Sequence, residues 1–305
     1  GGYFVAYSSW RDVFYVNVPL GAAIFLLAWR FIPHDAPSRG SVSRKMDIQG
    51  IALLGLSLLA GMLAATILGE RRGGEDLAGF AVSLLVALAA LFCFFRHIRR
   101  TDTPFIQPRL IYGPNFGTVN LVNMIYSGFV IGGMALAPLY ATNRYGIDAV
   151  GSGTLLTAQG AAAMICSLTA VVLLRRTGYR LPLYVGSAIT IAGLVLLALP
   201  PAMGISPYAW LAFAAFLVGA GNGTINPSMR NAGLQLAPES SSMLAALRTL
   251  SLQIGAIATI SVVAAILAHQ TDMGRILAWV YASLAVIRLV ALVLVKRVPE
   301  QRGSW

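Results

Sequence analysis

The groups in this sequence with most to offer chemically are amides set at helical spacing inside long apolar stretches. Asn120, Asn123 and Ser127 fall on one face of one stretch, and Asn222 and Asn226 lie one turn apart in another. Gln159 and Gln253 are single amides in two further stretches. An amide in hydrocarbon is costly unless it finds a partner or water. These side chains therefore either line a substrate cavity or bond neighbouring helices. Arg288 is the one charge well inside an apolar stretch. A charge there is a functional candidate by default, but its long stem could also snorkel to the interface.

Acids are placed differently. Asp12, Asp35, Asp47, Glu70, Glu75, Asp76, Asp102, Asp148, Glu239, Asp272 and Glu300 all fall in connectors or at helix ends. His34, His97 and His269 are read as solvated, and Cys93 and Cys166 as small apolar packing residues. No set has metal-ligand spacing, so no metal or cofactor is expected. A membrane-embedded prenyltransferase needs acidic clusters, and an intramembrane protease needs a Ser–His pair or two aspartates. Neither is present within the spans, which argues against an enzyme.

The elements that must position these groups follow from composition. Of the 305 residues, 57% are hydrophobic and 11% charged; soluble domains carry about 25% charged residues. Nine apolar stretches near bilayer length recur, at roughly 13–32, 48–68, 77–95, 116–140, 152–174, 181–199, 208–228, 247–269 and 276–295. Polar connectors rich in Gly, Pro, Asp and Arg separate them. The pattern predicts an all-α integral membrane protein, since helices satisfy their own backbone groups in lipid. Alternating ten-residue strands of a barrel are absent from the sequence. The net charge of +11 sits in the connectors, with no basic helix face and no RNP-like motif, so nucleic acid is not expected as a partner. Alternate connectors hold most of it: Arg30, Arg39, Arg44 and Lys45, then Arg96 to Arg109, Arg175 to Arg180, Arg230 with Arg248, and Lys296 to Arg302. The other set holds Arg11, Arg71, Arg72, Arg144 and Arg275. By the positive-inside rule the richer set and the C-terminus are cytoplasmic.

Two local features bear on movement and packing. Pro19 follows Asn17 in the first stretch, where it marks either a flexible point or a static kink. Gly219 and Gly223 form a small-xxx-small pair that lets helices approach closely.

Several segments then resemble the fourteen-helix drug:proton antiporter family of the major facilitator superfamily. Gly1-Gly2, Trp10-Arg11-Asp12-Val13-Phe14 and Asn17-Val18-Pro19-Leu20-Gly21 are similar to that family's helix five to six signature, with Asp12 where a second Trp is usual. Asp47-Ile48-Gln49-Gly50 resembles the opening of its helix seven, and Pro138-Leu139-Tyr140 the close of helix nine. Arg175 to Arg180 resembles the degenerate second copy of the superfamily's Asp-Arg-x-Gly-Arg-Arg loop, with Arg175 in the place of the acid. Pro238-Glu239 through Gln253-Ile254-Gly255 resembles the start of helix thirteen, where Leu252 replaces a frequent Arg.

The resemblance implies an MFS-type bundle holding helices six to fourteen. Residues 1–34 would end an N-terminal bundle that is otherwise missing, 35–110 would be two extra linker helices, and 111–305 a C-terminal six-helix bundle. It implies a secondary transporter of the bacterial inner membrane that exports small organic compounds in exchange for protons by alternating access. Asn120, Asn123, Ser127, Gln159, Asn222, Asn226 and Gln253 would line the pathway, while Asn17, Pro19, Arg180, Gly219 and Gly223 would serve conformation or packing. The family's embedded acids usually belong to its N-terminal bundle, so the coupling carboxylate is not expected in this chain. A non-transporting sensor, a membrane enzyme or an inactive fragment is the rival reading.

Overall fold

The computed structural model describes residues 11–31, 47–70, 77–113, 115–268, 270–298 and 300. Gly1, Gly2, Trp10, His34, Asp35, Glu75, Asp76 and His269 lie outside them. All regular structure among the described residues is helical, and nine helices are long and apolar enough to cross a membrane. The nine-span expectation is borne out.

Helix α1 (Asp12–Phe31) runs through Pro19 and is exposed along almost its whole length, Asn17 and Pro19 included. Helices α2 (Ile48–Glu70) and α3 (Leu77–Arg100) pack as a pair. A short helix α4 (Pro108–Tyr112) leads to the fourth span, which is not one straight rod. It comprises α5 (Phe116–Asn123), a π-turn (Met124–Gly128) and α6 (Phe129–Ala135). The chain breaks at Leu136 before α7 (Ala137–Tyr145). Pro138 explains the break, because its ring removes a backbone donor and clashes with the preceding turn. The remaining spans are α8 (Ala149–Thr177), α9 (Arg180–Ala198), α10 (Pro207–Leu234), α11 (Ser241–Leu267) and α12 (Met273–Val295).

Lipid tails are as apolar as Leu, so helices in a membrane associate through close packing rather than hydrophobic expulsion. Small residues supply that closeness. A Cβ at Gly219 would sit 2.9 Å from the Gln159 Cα and nearer still to its carbonyl. One at Gly223 would lie 2.8 Å from the Ala163 Cα. Gly221 points the other way and meets Gly186 and Thr190 of α9. Helix α10 is thus wedged between α8 and α9. Gly128 and Gly132 similarly meet the Leu252 and Ala256 backbone of α11. Larger side chains fill two layers of the bundle. Met134, Tyr140, Leu155, Leu194, Val218 and Tyr281 lie towards one end. Val122, Tyr126, Leu174, Leu183, Met229 and Val295 lie towards the end at which α12 finishes.

At that same end the α2–α3 pair is fastened down. Asp47 caps α2 by accepting from the Gly50 amide at 2.8 Å. Its other oxygen accepts from the Phe105 amide at 3.0 Å. His97 at the end of α3 contacts Asp47 at 2.7 Å. His97 is therefore a pairing residue with a side chain only 17% exposed, not the solvated one expected, because Asp47 caps a neighbouring helix within its reach. Burial disfavours the Asp47 charge, yet the Phe105 and Gly50 amides and His97 outweigh it and hold the carboxyl below its ordinary 3.8. With the folded-state pKa depressed, the stabilisation is complete above that ordinary value and is lost as pH falls through the lowered one. Asp47→Asn should lower stability by about 1–2 kcal/mol at neutral pH, and the gap to the unmodified protein should narrow in acid. Unfolding curves in detergent at the two pH values measure this; a gap that stayed constant would show that the carboxylate charge is idle.

Candidate functional site

A cleft of about 430 Å³ opens where α5, α10 and α11 meet, at the end where α12 finishes. Asn120 and Asn123 line it from α5, Arg230 from α10, and Ser241, Ser242, Arg248 and Thr249 from α11. Phe116, Val119, Met229 and Leu244 supply its apolar wall. Among the described side chains, no acid lines it.

Each polar group has an identifiable setting. Asn120 donates to the Leu110 and Ile111 carbonyls at 3.1 and 3.2 Å, satisfying groups at the end of α4. Asn123 is 1% exposed, and its Oδ1 has no hydrogen-bond partner among the described residues. Asn226 accepts from Arg248 Nη2 at 3.0 Å and from the Ser127 hydroxyl at 3.5 Å. That junction ties the π-turn of the fourth span to α10 and α11. Asn222 lies one turn deeper than Asn226, buried, with no partner for its Oδ1 among the described residues.

Thus the structure places Asn120, Asn123, Ser127 and Asn226 in or against one cleft. Gln159 is half-buried on α8, where its backbone meets Gly219. Gln253 is exposed on α11 and does not join the cluster. Arg180 donates from Nε to the Val298 carbonyl at 2.9 Å and pairs with Glu300 at 3.6 Å. Glu300 also accepts from the Tyr179 and Arg180 amides, each at 3.1 Å, at the start of α9. The described acids sit at helix ends or in connectors.

Sequence reasoning missed the two arginines of the cleft. It assigned Arg230 and Arg248 to a connector, whereas α10 continues to Leu234 and α11 begins at Ser241. The spacing Asn222, Asn226, Arg230 does hold the signal: one helical face carried two turns further. Arg288 also departs from the snorkelling expectation. Its α12 face, with Tyr281, Leu284, Ala291 and Val295, is buried in the bundle. Arg288 is 1% exposed, donates from Nη1 to the Tyr126 carbonyl at 2.6 Å, and lies 4.7 Å from the Tyr126 ring centre. Cys93, expected to pack, is exposed, whereas Cys166 is half-buried.

Two other depressions hold none of the amides singled out for a pathway. One of about 740 Å³ lies between α6, α7 and α8, and an apolar one of about 560 Å³ lies between α11 and α12.

Comparison with known proteins agrees with this architecture. The multidrug resistance protein B homolog of Mycobacterium tuberculosis (strain ATCC 25618 / H37Rv) is 26% identical over 280 residues, covering 91% of this chain and 51% of its own length. The drug efflux pump JefA of the same strain is 26% identical over 222 residues, covering 72% and 42%. The methylenomycin A resistance protein of Streptomyces coelicolor (strain ATCC BAA-471 / A3(2) / M145) is 26% identical over 315 residues, covering 100% and 63%. The chain spans about half the length of the curated relatives it matches. Residues 119–304 match the Major Facilitator Superfamily profile. That segment starts within α5 and holds the cleft apart from Phe116 and the five spans that follow, and the chain belongs to the Major Facilitator Superfamily.

Proposed function

We propose that this multi-pass membrane chain forms part of a secondary active transporter that exports small organic compounds in exchange for protons by alternating access. The observation that carries the reading is the cleft of amides, hydroxyls and apolar groups in an otherwise apolar bundle. Superfamily membership and the similarity to proteins named for drug efflux and resistance support it. In alternating access, two bundles rock about a site near the midplane, and the coupling ion selects which state is favoured. Residues 1–34 belong in this reading to an N-terminal bundle, 35–110 to two extra helices, and 111–305 to the C-terminal bundle. In this reading the coupling carboxylate belongs to the N-terminal bundle, since an acid that stays ionised at neutral pH binds protons too weakly there to couple.

The test is uptake of a fluorescent organic compound into inside-out vesicles carrying the full-length protein. Uptake should require a proton gradient, and Asn226→Leu should reduce it several-fold by removing the junction with Arg248 and Ser127. Gradient-independent uptake would sink proton coupling, and an unaffected Asn226→Leu variant would remove the cleft from the pathway.

The proposed site of residence is the bacterial inner membrane with the C-terminus and the cleft on the cytoplasmic side, from the distribution of Lys and Arg. In a cysteine-free background, Met203→Cys should react with an impermeant thiol reagent in intact cells. Thr103→Cys, in a connector at the opposite end, should react only after the membrane is opened. The reverse pattern contradicts this orientation.

A further inference from the structure

We infer that the cleft between α5, α10 and α11 is an anion-selective site, built for an amphipathic organic molecule that carries a carboxylate, sulfonate or phosphate group. This deepens the proposed function and rests on it, since it names the class of compound the same cleft would take.

Two features favour an anion, and a third accommodates one. Arg230 and Arg248 both line the cleft, and among the described side chains no acid does. Arg248 is only partly committed: Nη2 donates to Asn226, while Nε is buried without a partner among the described residues. A guanidinium held at one edge and unpaired at another is positioned to meet a second acceptor, and planar arginine matches carboxylate and phosphate geometry. Next, Ser241 and Ser242, the first residues of the 27-residue helix α11, line the cleft, and its cap residue Ser240 makes no side-chain capping bond. The Ser241 amide donates to the Pro238 carbonyl of the 3-10 turn that precedes the helix, so this end offers the cleft two hydroxyl donors at the positive end of the helix dipole. Finally, Asn123 is 1% exposed and lines the cleft with an unused Oδ1. Its amide can turn to present N–H donors to an oxyanion. Opposite these groups, Phe116, Val119, Met229 and Leu244 offer an apolar wall. A cationic compound would meet two like charges there and no counter-charge, a repulsion that low dielectric strengthens.

One ligand chemistry here has two sources, a soluble organic anion and the headgroup of an anionic lipid. The experiment separates them. The purified chain is placed in nanodiscs of neutral phosphatidylcholine. Two dyes that share an aromatic skeleton are titrated by fluorescence: anilinonaphthalene sulfonate, which is anionic, and phenylnaphthylamine, which is neutral. The sulfonate should bind at least about tenfold more tightly, the equivalent of one charge-assisted hydrogen bond. Arg248→Gln and Arg230→Gln should each erase most of that preference while leaving the neutral dye unchanged. Arg248→Lys should keep part of it, which a purely structural role for Arg248 would not produce. Matching thermal unfolding of the variants keeps the comparison clean.

Equal binding of the two dyes overturns the anion preference while leaving the cleft as a site for organic compounds. Binding of neither dye overturns the cleft as such a site altogether. Repeating the titration with phosphatidylglycerol in the disc assigns the source. Competitive loss of sulfonate binding identifies the lipid headgroup as the occupant, and unchanged binding identifies the soluble anion; both outcomes sustain the anion site.

Discussion

Gly219→Val is expected to abolish the folded bundle. The Gly219 backbone touches the Gln159 backbone so closely that even a single Cβ would overlap the Gln159 carbonyl. The obstacle is main chain, so no side chain can swing aside, and α8 and α10 would have to separate. Overpacking usually costs about 1–3 kcal/mol when side chains can yield, and more when they cannot. Here separation would also open the Gly223 and Ala163 contact one turn away, so a loss above about 3 kcal/mol is expected even for Gly219→Ala. Gly160 supplies the control on the facing helix, because nothing lies within 4 Å of the Cβ it would gain. Gly160→Ala should be neutral or stabilising by up to about 1 kcal/mol through helix propensity. The measurement is the yield of monodisperse protein and its unfolding midpoint in detergent. Indistinguishable Gly219→Ala and Gly160→Ala variants would mean that α8 and α10 do not approach as described.

The parts of this fold that were legible in the sequence are those set by local composition. Nine apolar stretches gave nine spans because hydrocarbon forces each backbone to bond within itself. The amides were visible because few polar groups survive in such stretches without a partner. What escaped was what depends on neighbours. Arg230 and Arg248 marked the ends of spans by hydropathy, yet the helices run past both, since a helix does not stop where apolarity does. Asp47 and His97 meet across 50 positions, a pairing that no local spacing encodes. The π-turn at Met124–Gly128 likewise carries no clear local signal. It lies where Gly128 and Gly255 let two backbones meet, and that fit becomes visible only once the partner helix is in place.

Arg288 shows how such a neighbour-dependent residue can be weighed. Its guanidinium makes one hydrogen bond, to the Tyr126 carbonyl in the π-turn, and stacks on the Tyr126 ring. Nε and Nη2 are buried without hydrogen-bond partners among the described residues. A charge near the middle of a spanning helix costs about 2.5–3.5 kcal/mol on insertion scales. One hydrogen bond from a charged group contributes about 1.5–3 kcal/mol, and a desolvated cation–π contact about 2 kcal/mol. The charge is therefore close to neutral for stability, and the volume of the side chain carries most of the effect. Arg288→Met keeps much of that volume and removes the charge, so it should unfold within about 1–2 kcal/mol of the unmodified protein. Arg288→Ala leaves a hole between α12 and the π-turn as well as an unpaired carbonyl, and should be less stable than Arg288→Met by about 2–5 kcal/mol. Equilibrium unfolding in mixed micelles ranks the two. If Arg288→Ala and Arg288→Met unfolded together, the buried packing of this side chain would be refuted; if Arg288→Met fell with Arg288→Ala far below the unmodified protein, the charge itself would be what holds α12 against the π-turn.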